Sequence, residues 1–184
     1  MTDTQKRTGY VLDGQPLPRA LHEYRDELYQ ALAVPLPAEW PEGEELRLAE
    51  QPAAVGKVLV RALHDDVEGA RISYLFQEAM GSGERADLGK AKRASGPLAF
   101  LTEYAFVLTF NWSWWKLLNS LQRVALVDHE LSHCGRDDDG KWILLHHDIE
   151  EFSGVVGRWG LWTAGLQTFG RAIKHQLDLF QEGT

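Results

Sequence analysis

The stretch DHELSHC (residues 128–134) places two histidines four positions apart, with a glutamate directly after the first. Residues i and i+4 are neighbours on one face of an α-helix. His129 and His133 can therefore direct imidazole nitrogens at one cation about 2.0–2.1 Å away, which is the usual zinc–nitrogen distance. Glu130 lies one position further round the helix, where its carboxylate can reach a water at the cation without being a ligand. This is the HExxH spacing of zinc-dependent hydrolysis.

The residues around this motif favour a buried helix over a solvated one. No glycine or proline interrupts residues 112–134, and apolar residues stand at positions 124, 125, 127 and 131. A buried imidazole needs a polar partner, because an unpaired polar group in apolar surroundings costs free energy. A histidine pair on a solvated helix face is the alternative, and the apolar neighbours weigh against it. The sequence therefore predicts a Zn²⁺ site on a buried helix.

A second group of possible ligands follows in LLHHDIEEF (144–152). A catalytic zinc usually takes three protein ligands and leaves a fourth position for water. The intervening GRDDDGK (135–141) has the Asp-Gly signal of a turn, so the chain can reverse and bring this group back to the histidine pair. We choose His147 as the third ligand, and His146, Glu150 and Glu151 stay open as alternatives. Asp148 is a candidate either to hold an imidazole from behind or to cap the next helix.

Hydrophobic patterns predict the other elements of the chain. The predicted helices are 17–33, 52–67, 112–134, 148–159 and 161–180, and the predicted strands are 70–76, 104–111 and 141–145. The glycine-rich stretch 81–96, which includes Lys90, Lys92 and Arg93, is predicted to be a loop or the end of a wide hairpin. Three prolines in residues 34–41 break regular structure. We therefore divide the chain into an N-terminal extension, 1–50, and a main domain, 51–184.

Composition narrows the possible classes of function. The 184 residues, 44% hydrophobic and 25% charged, suit a globular chain with a real core. We expect no membrane association, since no run approaches the ~18 apolar residues of a span and the N-terminus lacks the apolar stretch of a secretory signal. The net charge of −8 argues against a nucleic-acid partner. Cys134, the single cysteine, fits a reducing cytoplasm, where we expect it to be a small buried residue. The sequence does not indicate an oligomeric state.

Two stretches together resemble a known family: FVLTFNWSWWKLLNSLQRVALVDHELSHC and HHDIEEFSGVVGRWG. They resemble the phage metallopeptidases, which have a zincin-like fold, over roughly residues 70–162, through a strand, a helix with HELxH and a later H-D-x-E-E-F segment. The resemblance implies zinc ligands at His129, His133 and His147, a catalytic Glu130, and a location in the cytoplasm of a bacterial host. More distantly, the chain is similar to the SprT-type metalloproteases, although it lacks their four-cysteine zinc ribbon and basic excess.

These observations lead to one expectation for fold and function. The expected fold is α+β and zincin-like, a small, mostly antiparallel sheet packed on the HExxH helix, with further N- and C-terminal helices. The expected function is a zinc metallopeptidase that hydrolyses peptide or protein substrates, with Glu130 as general base. AFVLTF (105–110) is the strand expected to pair with an extended substrate. Arg158 or Tyr104 is the candidate oxyanion donor.

An alternative from another class is a zinc-stabilised binding module that acts on a host protein without hydrolysis. The intact Glu130 weighs against it, because a purely structural zinc site needs no base. A third function, proteolysis of nucleic-acid-bound proteins, would need a basic face, which the acidic composition disfavours. WSWW (112–115) is interpreted as core, since buried tryptophans are more common than exposed binding platforms.

Overall fold

The computed structural model describes residues 10–81, 87–147, 152–168 and 170–171. It has a mixed α+β fold with small sheets. The chain divides into two compact units, Met1–His146 and His147–Thr184. None of the helices in the described ranges is long and apolar enough to cross a membrane.

The first unit opens with a small hairpin and a helix. The hairpin is β1 (Val11–Leu12) with β2 (Gln15–Pro16), and after a 3₁₀ turn (Arg19–Leu21) comes α1 (Arg25–Leu32). The later elements of this unit are β3 (Leu46–Leu48), α2 (Glu50–Leu63), a 3₁₀ turn (Asp65–Val67), β4 (Ile72–Gln77), β5 (Gly89–Arg93), α3 (Gly96–Thr102), β6 (Phe106–Asn111), α4 (Trp112–Trp115), α5 (Ser120–Ser132), β7 (Cys134–Arg136) and β8 (Trp142–Leu144). The second unit contains α6 (Ser153–Trp159) and a helical segment at 164–168.

Most predicted elements are present, with three corrections, and the helices predicted over 148–159 and 161–180 lie only partly within the described residues. The helix predicted over 17–33 is divided into the 3₁₀ turn (Arg19–Leu21) and α1 (Arg25–Leu32). The strands predicted at 70–76, 104–111 and 141–145 correspond to β4, β6 and β8. The continuous helix predicted over 112–134 is wrong, because α4 ends at Trp115 and α5 begins at Ser120. The loop or hairpin end predicted over 81–96 is also wrong in part, since the strand β5 (Gly89–Arg93) lies inside it. Glycine and lysine have low strand propensity, so the pairing of β5 with β6 overrides the local preference.

The main sheet has four strands in the order β3-β4-β6-β5. Strands β4 and β6 are parallel, while the β3–β4 and β5–β6 pairs are antiparallel, so the sheet is mixed and mostly antiparallel. Strand β6 therefore has a neighbour on each side. An interior strand has no open backbone groups left for another chain, so the expectation that AFVLTF pairs with a substrate is wrong.

Aromatic side chains fill the core beside this sheet. Phe76 of β4 is 1% exposed and meets Trp112 and Trp115 edge-on, at ring-centroid distances of 5.1 and 5.7 Å. Phe110 of β6 meets Trp115 in the same way at 5.4 Å. The interpretation of WSWW as core is confirmed for Trp112 and Trp115, whereas Trp114 is 41% exposed.

A buried amide joins the helices that surround the core. The Gln51 side chain at the start of α2 donates to the carbonyl oxygens of Leu32 and Val34, both at 2.8 Å. Its own oxygen accepts from Trp115 Nε1 and from the Arg123 guanidinium, both at 3.1 Å. Because all its polar atoms are satisfied, Gln51 holds α1, α4 and α5 against α2 without the cost of an orphaned buried group.

Candidate metal centre

Helix α5 carries His129 and Glu130 of the HExxH motif in its last turn, and His133 is the C-cap residue directly after it. It begins with a capping box, in which the Asn119 side chain accepts from the Gln122 amide at 2.9 Å and the Gln122 side chain accepts from the Asn119 amide at 3.1 Å. Such a reciprocal cap satisfies two helix-end donors and fixes where the helix starts. Seven of its thirteen residues are buried: Val124, Ala125, Leu126, Val127, Asp128, Glu130 and Leu131. The motif therefore lies on a buried helix, as predicted.

The turn after α5 reverses the chain and returns it to the end of α5 at His133. Strands β7 and β8 pair antiparallel, and the Asp137 carboxylate between them accepts from the amides of Asp139 (3.1 Å) and Lys141 (2.8 Å). Gly140 completes the turn at a φ of +78°, a conformation that glycine adopts without strain. The predicted turn is thus confirmed, and it leads into Leu145, whose amide donates to the His133 carbonyl oxygen at 2.8 Å.

A second hydrogen bond between the same two residues orients an imidazole. His133 Nδ1 lies 2.8 Å from the Leu145 carbonyl oxygen. A carbonyl oxygen can only accept, so Nδ1 carries the proton, and the lone pair of the neutral ring is then on Nε2. A hydrogen bond from the non-ligating nitrogen to a carbonyl commonly fixes the tautomer and orientation of a metal-binding histidine.

Three histidines come together at this place. One ring nitrogen from each of His129, His133 and His147 lies within 4.8 Å of the other two. His147 follows Leu145 by only two residues, so the backbone pairing of Leu145 with His133 restricts where its imidazole can lie. His146, the alternative from the same dipeptide, does not belong to this group. The remaining predicted residues, Asp148, Glu150 and Glu151, lie outside the described residues.

The spacing and chemistry of these nitrogens fit a zinc ion. Ligands at 2.0–2.1 Å in tetrahedral directions stand about 3.3–3.4 Å apart, so three nitrogens already within 4.8 Å need only small side-chain rotations. The rings of His129 and His133 are nearly perpendicular, at 83°, with centroids 5.1 Å apart. Three imidazole nitrogens are a donor set that zinc commonly takes in proteins.

The Glu130 carboxylate lies beside this histidine group and against the sheet. Its side chain is 3% exposed, and Oε1 is 4.0 Å from His129 Nε2. On the other side it reaches the edge strand β5 at Gly89. A Cβ atom built on Gly89 would stand only 2.8 Å from Glu130 Cδ and 3.0 Å from Cγ. The carboxylate thus occupies the space in which any other residue at position 89 would place its side chain.

Two buried polar residues behind the motif were not identified from the sequence. His64, which ends helix α2, lies with its Nε2 2.7 Å from Oδ1 of Asp128, and Asp128 is 0% exposed. The two residues are 64 positions apart, and no local pattern pairs them. The contact of Gly89 with Glu130 was also missed, although a glycine within a strand-forming segment is a known sign of close approach by another group.

Cys134 fits the structural role predicted for it. It is 1% exposed, and its thiol donates to the Glu130 carbonyl oxygen at 3.7 Å. Burial, reinforced by the negative charges of Glu130 and Asp66, raises the pKa of the thiol above its ordinary value. Nucleophilic cysteines have lowered pKa values, so this environment is the opposite of an activating one.

The oxyanion donors suggested by the sequence have no support at this centre. Tyr104 packs under the Arg71 guanidinium, 5.2 Å from the ring centroid. It precedes Phe106, which is paired with Arg93 at the end of β5 away from Gly89. Tyr104 therefore lies at the far end of the sheet from Glu130, and its proposed role is wrong. Arg158 belongs to α6 in the second unit, and its role stays a prediction.

Comparison with known proteins adds one finding. A family model described as "Putative phage metallopeptidase" matches residues 45–174, which is more than two thirds of the chain and includes the three histidines and Glu130. No curated protein and no solved structure matches the chain.

Proposed function

The chain belongs to the phage metallopeptidase family, and we propose that it is a zinc-dependent enzyme that hydrolyses peptide bonds in peptides or proteins. The family implies a metal and a protein or peptide substrate, while zinc and the catalytic mechanism are our proposal. The observation that carries it is the meeting of three imidazole nitrogens within 4.8 Å beside a buried glutamate.

We propose that His129, His133 and His147 hold the zinc. When bound, zinc would lower the pKa of a water toward about 7 and polarise the carbonyl that is to be cleaved. His133 contributes Nε2, because its Nδ1 donates to the Leu145 carbonyl oxygen. These residues form the metal-binding part of a zincin-like domain that we assign to residues 51–184, with 1–50 as an N-terminal extension. Asp148, Glu150 and Glu151 keep their predicted supporting or alternative roles.

Glu130 is the proposed general base and acid. Its Oε1, 4.0 Å from His129 Nε2, is close enough to take a proton from a water at the histidine group. The water oxygen then forms a bond to the scissile carbonyl carbon, and the proton passes from Glu130 to the amine nitrogen as the carbon–nitrogen bond breaks. One carboxylate thus takes the proton from the nucleophile and returns it to the leaving group, with no net change in the enzyme.

The alternative of a non-catalytic binding module is less well supported. Such a module would need the histidines but would gain nothing from a carboxylate buried beside them, because burial of an acidic group is costly. Glu130 is 2% exposed, with its Oε1 4.0 Å from His129 Nε2, and this burial supports the catalytic function. The proposed location is the cytoplasm of a bacterial host, which agrees with a single cysteine that is buried and forms no disulfide.

The test compares Glu130→Gln with the wild type. Protein purified without added metal should contain about one zinc per chain, measured by elemental analysis, and Glu130→Gln should retain it. Cleavage of a quenched fluorescent peptide library should fall by about 10²–10⁴-fold in the variant, which is the usual contribution of a general base. The control is Glu103→Gln, which removes an exposed carboxylate paired with Arg71 and should change neither zinc content nor cleavage.

Two results would refute parts of this proposal. If Glu130→Gln cleaves at the wild-type rate, Glu130 is not the base. If the zinc-loaded wild type cleaves nothing but still binds a host protein in a zinc-dependent manner, the binding-module function is correct.

A further inference from the structure

Gly89 occupies a position in β5 where a side chain is sterically impossible while Glu130 keeps its place. Strand β5 is the last strand of the sheet order, and Gly89 is paired with Phe110 of β6. A Cβ at this position would come within 2.8 Å of Glu130 Cδ and 3.0 Å of Cγ. Real Cβ atoms essentially never approach a carbon that closely. One of the two groups would have to move.

The reason for glycine at this position is space and not backbone conformation. Seven glycines of the described chain have positive φ, and Gly89 is not among them. An alanine could therefore adopt the same backbone angles, and in a strand it would be favoured over glycine. What alanine cannot do is share its volume with the carboxylate of Glu130. Glycine at position 89 makes the strand less stable than alanine would. The packing of the Glu130 side chain against this position explains why glycine stands there.

The affected carboxylate is the one next to the histidine group. Glu130 Oε1 is the oxygen 4.0 Å from His129 Nε2, and Glu130 Oε1 is also the atom nearest to the Cβ position of Gly89. Glu130 is 2% exposed, so any shift of its carboxylate away from a side chain at position 89 has to be accommodated inside the protein. A methyl group at position 89 would therefore push Oε1 away from the position it holds beside His129.

We propose that Gly89 is a positioning residue, whose missing side chain lets the edge strand hold the Glu130 carboxylate at the metal centre. This inference rests on the proposed function for its catalytic consequence but not for the contact itself. Gly89 contributes no atom to the reaction and acts only through Glu130. The sheet thereby has a second role besides its contribution to the core, because it forms the wall against which the base is aligned.

The first test is a double-mutant cycle on thermal unfolding of the metal-free protein, which needs no substrate. Gly89→Ala should lower the melting temperature when Glu130 is present. In a Glu130→Ala background, the clash is gone, and the same Gly89→Ala change should be neutral or stabilising, as glycine-to-alanine changes are at compatible backbone angles. A loss of equal size in both backgrounds would overturn the proposal. If Gly89→Ala does not fold, Gly89→Ala/Glu130→Asp, with a carboxylate one methylene shorter, should fold.

The matched control is Gly56→Ala in helix α2. A Cβ at Gly56 would lie 2.6 Å from Tyr74 Cε1, so the crowding is equally severe but involves a different partner. Its effect on the melting temperature should be the same with and without the Glu130 side chain. If Gly56→Ala shows the same dependence on Glu130 as Gly89→Ala, the coupling is not specific to the contact, and the proposal fails.

The second test measures the catalytic consequence. In the zinc-loaded protein, Gly89→Ala should keep its zinc and its KM for a cleaved peptide, while kcat falls on the order of 10²-fold, the lower limit for loss of a general base. If the cycle shows coupling but kcat is unchanged, Gly89 packs against Glu130 without positioning it for catalysis, and the proposal is wrong. If Glu130→Gln itself has no effect on cleavage, the proposed function fails, independently of the thermal cycle.

Discussion

Loss of the His64–Asp128 hydrogen bond should destabilise the protein by an amount that the structure allows us to estimate. His64→Phe keeps a ring of similar size and removes the nitrogen that lies 2.7 Å from Asp128 Oδ1. Hydrogen bonds to charged groups contribute about 1.5–3 kcal/mol. At 2–4 °C per kcal/mol for a chain of this size, the melting temperature should fall by roughly 3–12 °C. Asp128 is 0% exposed. If no water reaches it to replace the lost hydrogen bond, the fall in melting temperature should lie in the upper part of this range.

The effect should extend to the metal centre, because Asp128 directly precedes His129. The bond joins the end of α2 to the last turns of α5. Its loss lets the motif-bearing part of α5 shift against α2, so we expect a weaker zinc affinity in addition to the lower melting temperature. Melting is followed by circular dichroism with and without chelator, and zinc affinity by competition with a chromophoric chelator.

A second histidine provides the control for this experiment. His22 Nε2 lies 3.0 Å from the carbonyl oxygen of Leu17, a hydrogen bond to an uncharged acceptor at a partly buried position. His22→Phe should therefore cost less, about 0.5–1.5 kcal/mol, and should leave zinc affinity unchanged. If His64→Phe lowers the free energy of unfolding no more than His22→Phe does, the His64–Asp128 hydrogen bond does not make the expected contribution. The same conclusion follows if His64→Phe lowers the free energy of unfolding by the same amount in an Asp128→Asn background. A hydrogen bond that contributes to stability must show energetic coupling between its two partners.

Two further predictions concern the third ligand and the response to alkaline pH. His147→Ala should lose most of the zinc found by elemental analysis and His146→Ala should not; equal loss in both would exclude His147 as the specific ligand. Burial, with a smaller contribution from Cys134, raises the pKa of Tyr74 above its ordinary value of 10.0. The contribution of the protonated Tyr74 to stability is therefore complete below about pH 10. As the pH rises further, the free energy of unfolding should fall by up to about 1.4 kcal/mol per pH unit. Urea unfolding between about pH 9 and 11 should show a shallower decline for Tyr74→Phe; an unchanged slope would contradict the effect of burial.

The parts of the site that follow from local rules could be predicted from the sequence. The i, i+4 spacing needs only a helix, and the helix over 120–132 is signalled by its apolar residues and by the absence of glycine and proline. The return of the chain depends on a turn whose Asp-Gly signal is also local. Together these rules bring His147 back to the histidine pair.

The parts that depend on tertiary packing could not be predicted. Strand β5 has the sequence GKAKR, which lacks the β-branched and aromatic residues of a typical strand, and only its pairing with β6 makes it extended. The contact of Gly89 with Glu130 exists only because β5 pairs there. His64, the partner of Asp128, is 64 positions away in sequence. Composition and periodicity therefore could not show that α2 lies on one side of the motif helix α5 and β5 on another.

Helix geometry explains why the motif needs these distant neighbours. Successive residues of an α-helix are about 100° apart, so from Asp128 the next residue, His129, lies at about 100°, Glu130 at about 200° and His133 at about 140°. The two histidines thus share one direction, the glutamate stands beside them, and Asp128 points to a separate side. A helix with polar groups in three directions can be buried only if each direction finds its own polar or accommodating neighbour. Here α2 supplies His64 for the aspartate, β5 supplies the space at Gly89 for the glutamate, and the β7–β8 return supplies Leu145 and His147 for the histidines. The motif therefore requires a helix with structure on several sides, and a mixed fold that places a helix, a sheet edge and a hairpin around α5 meets that requirement.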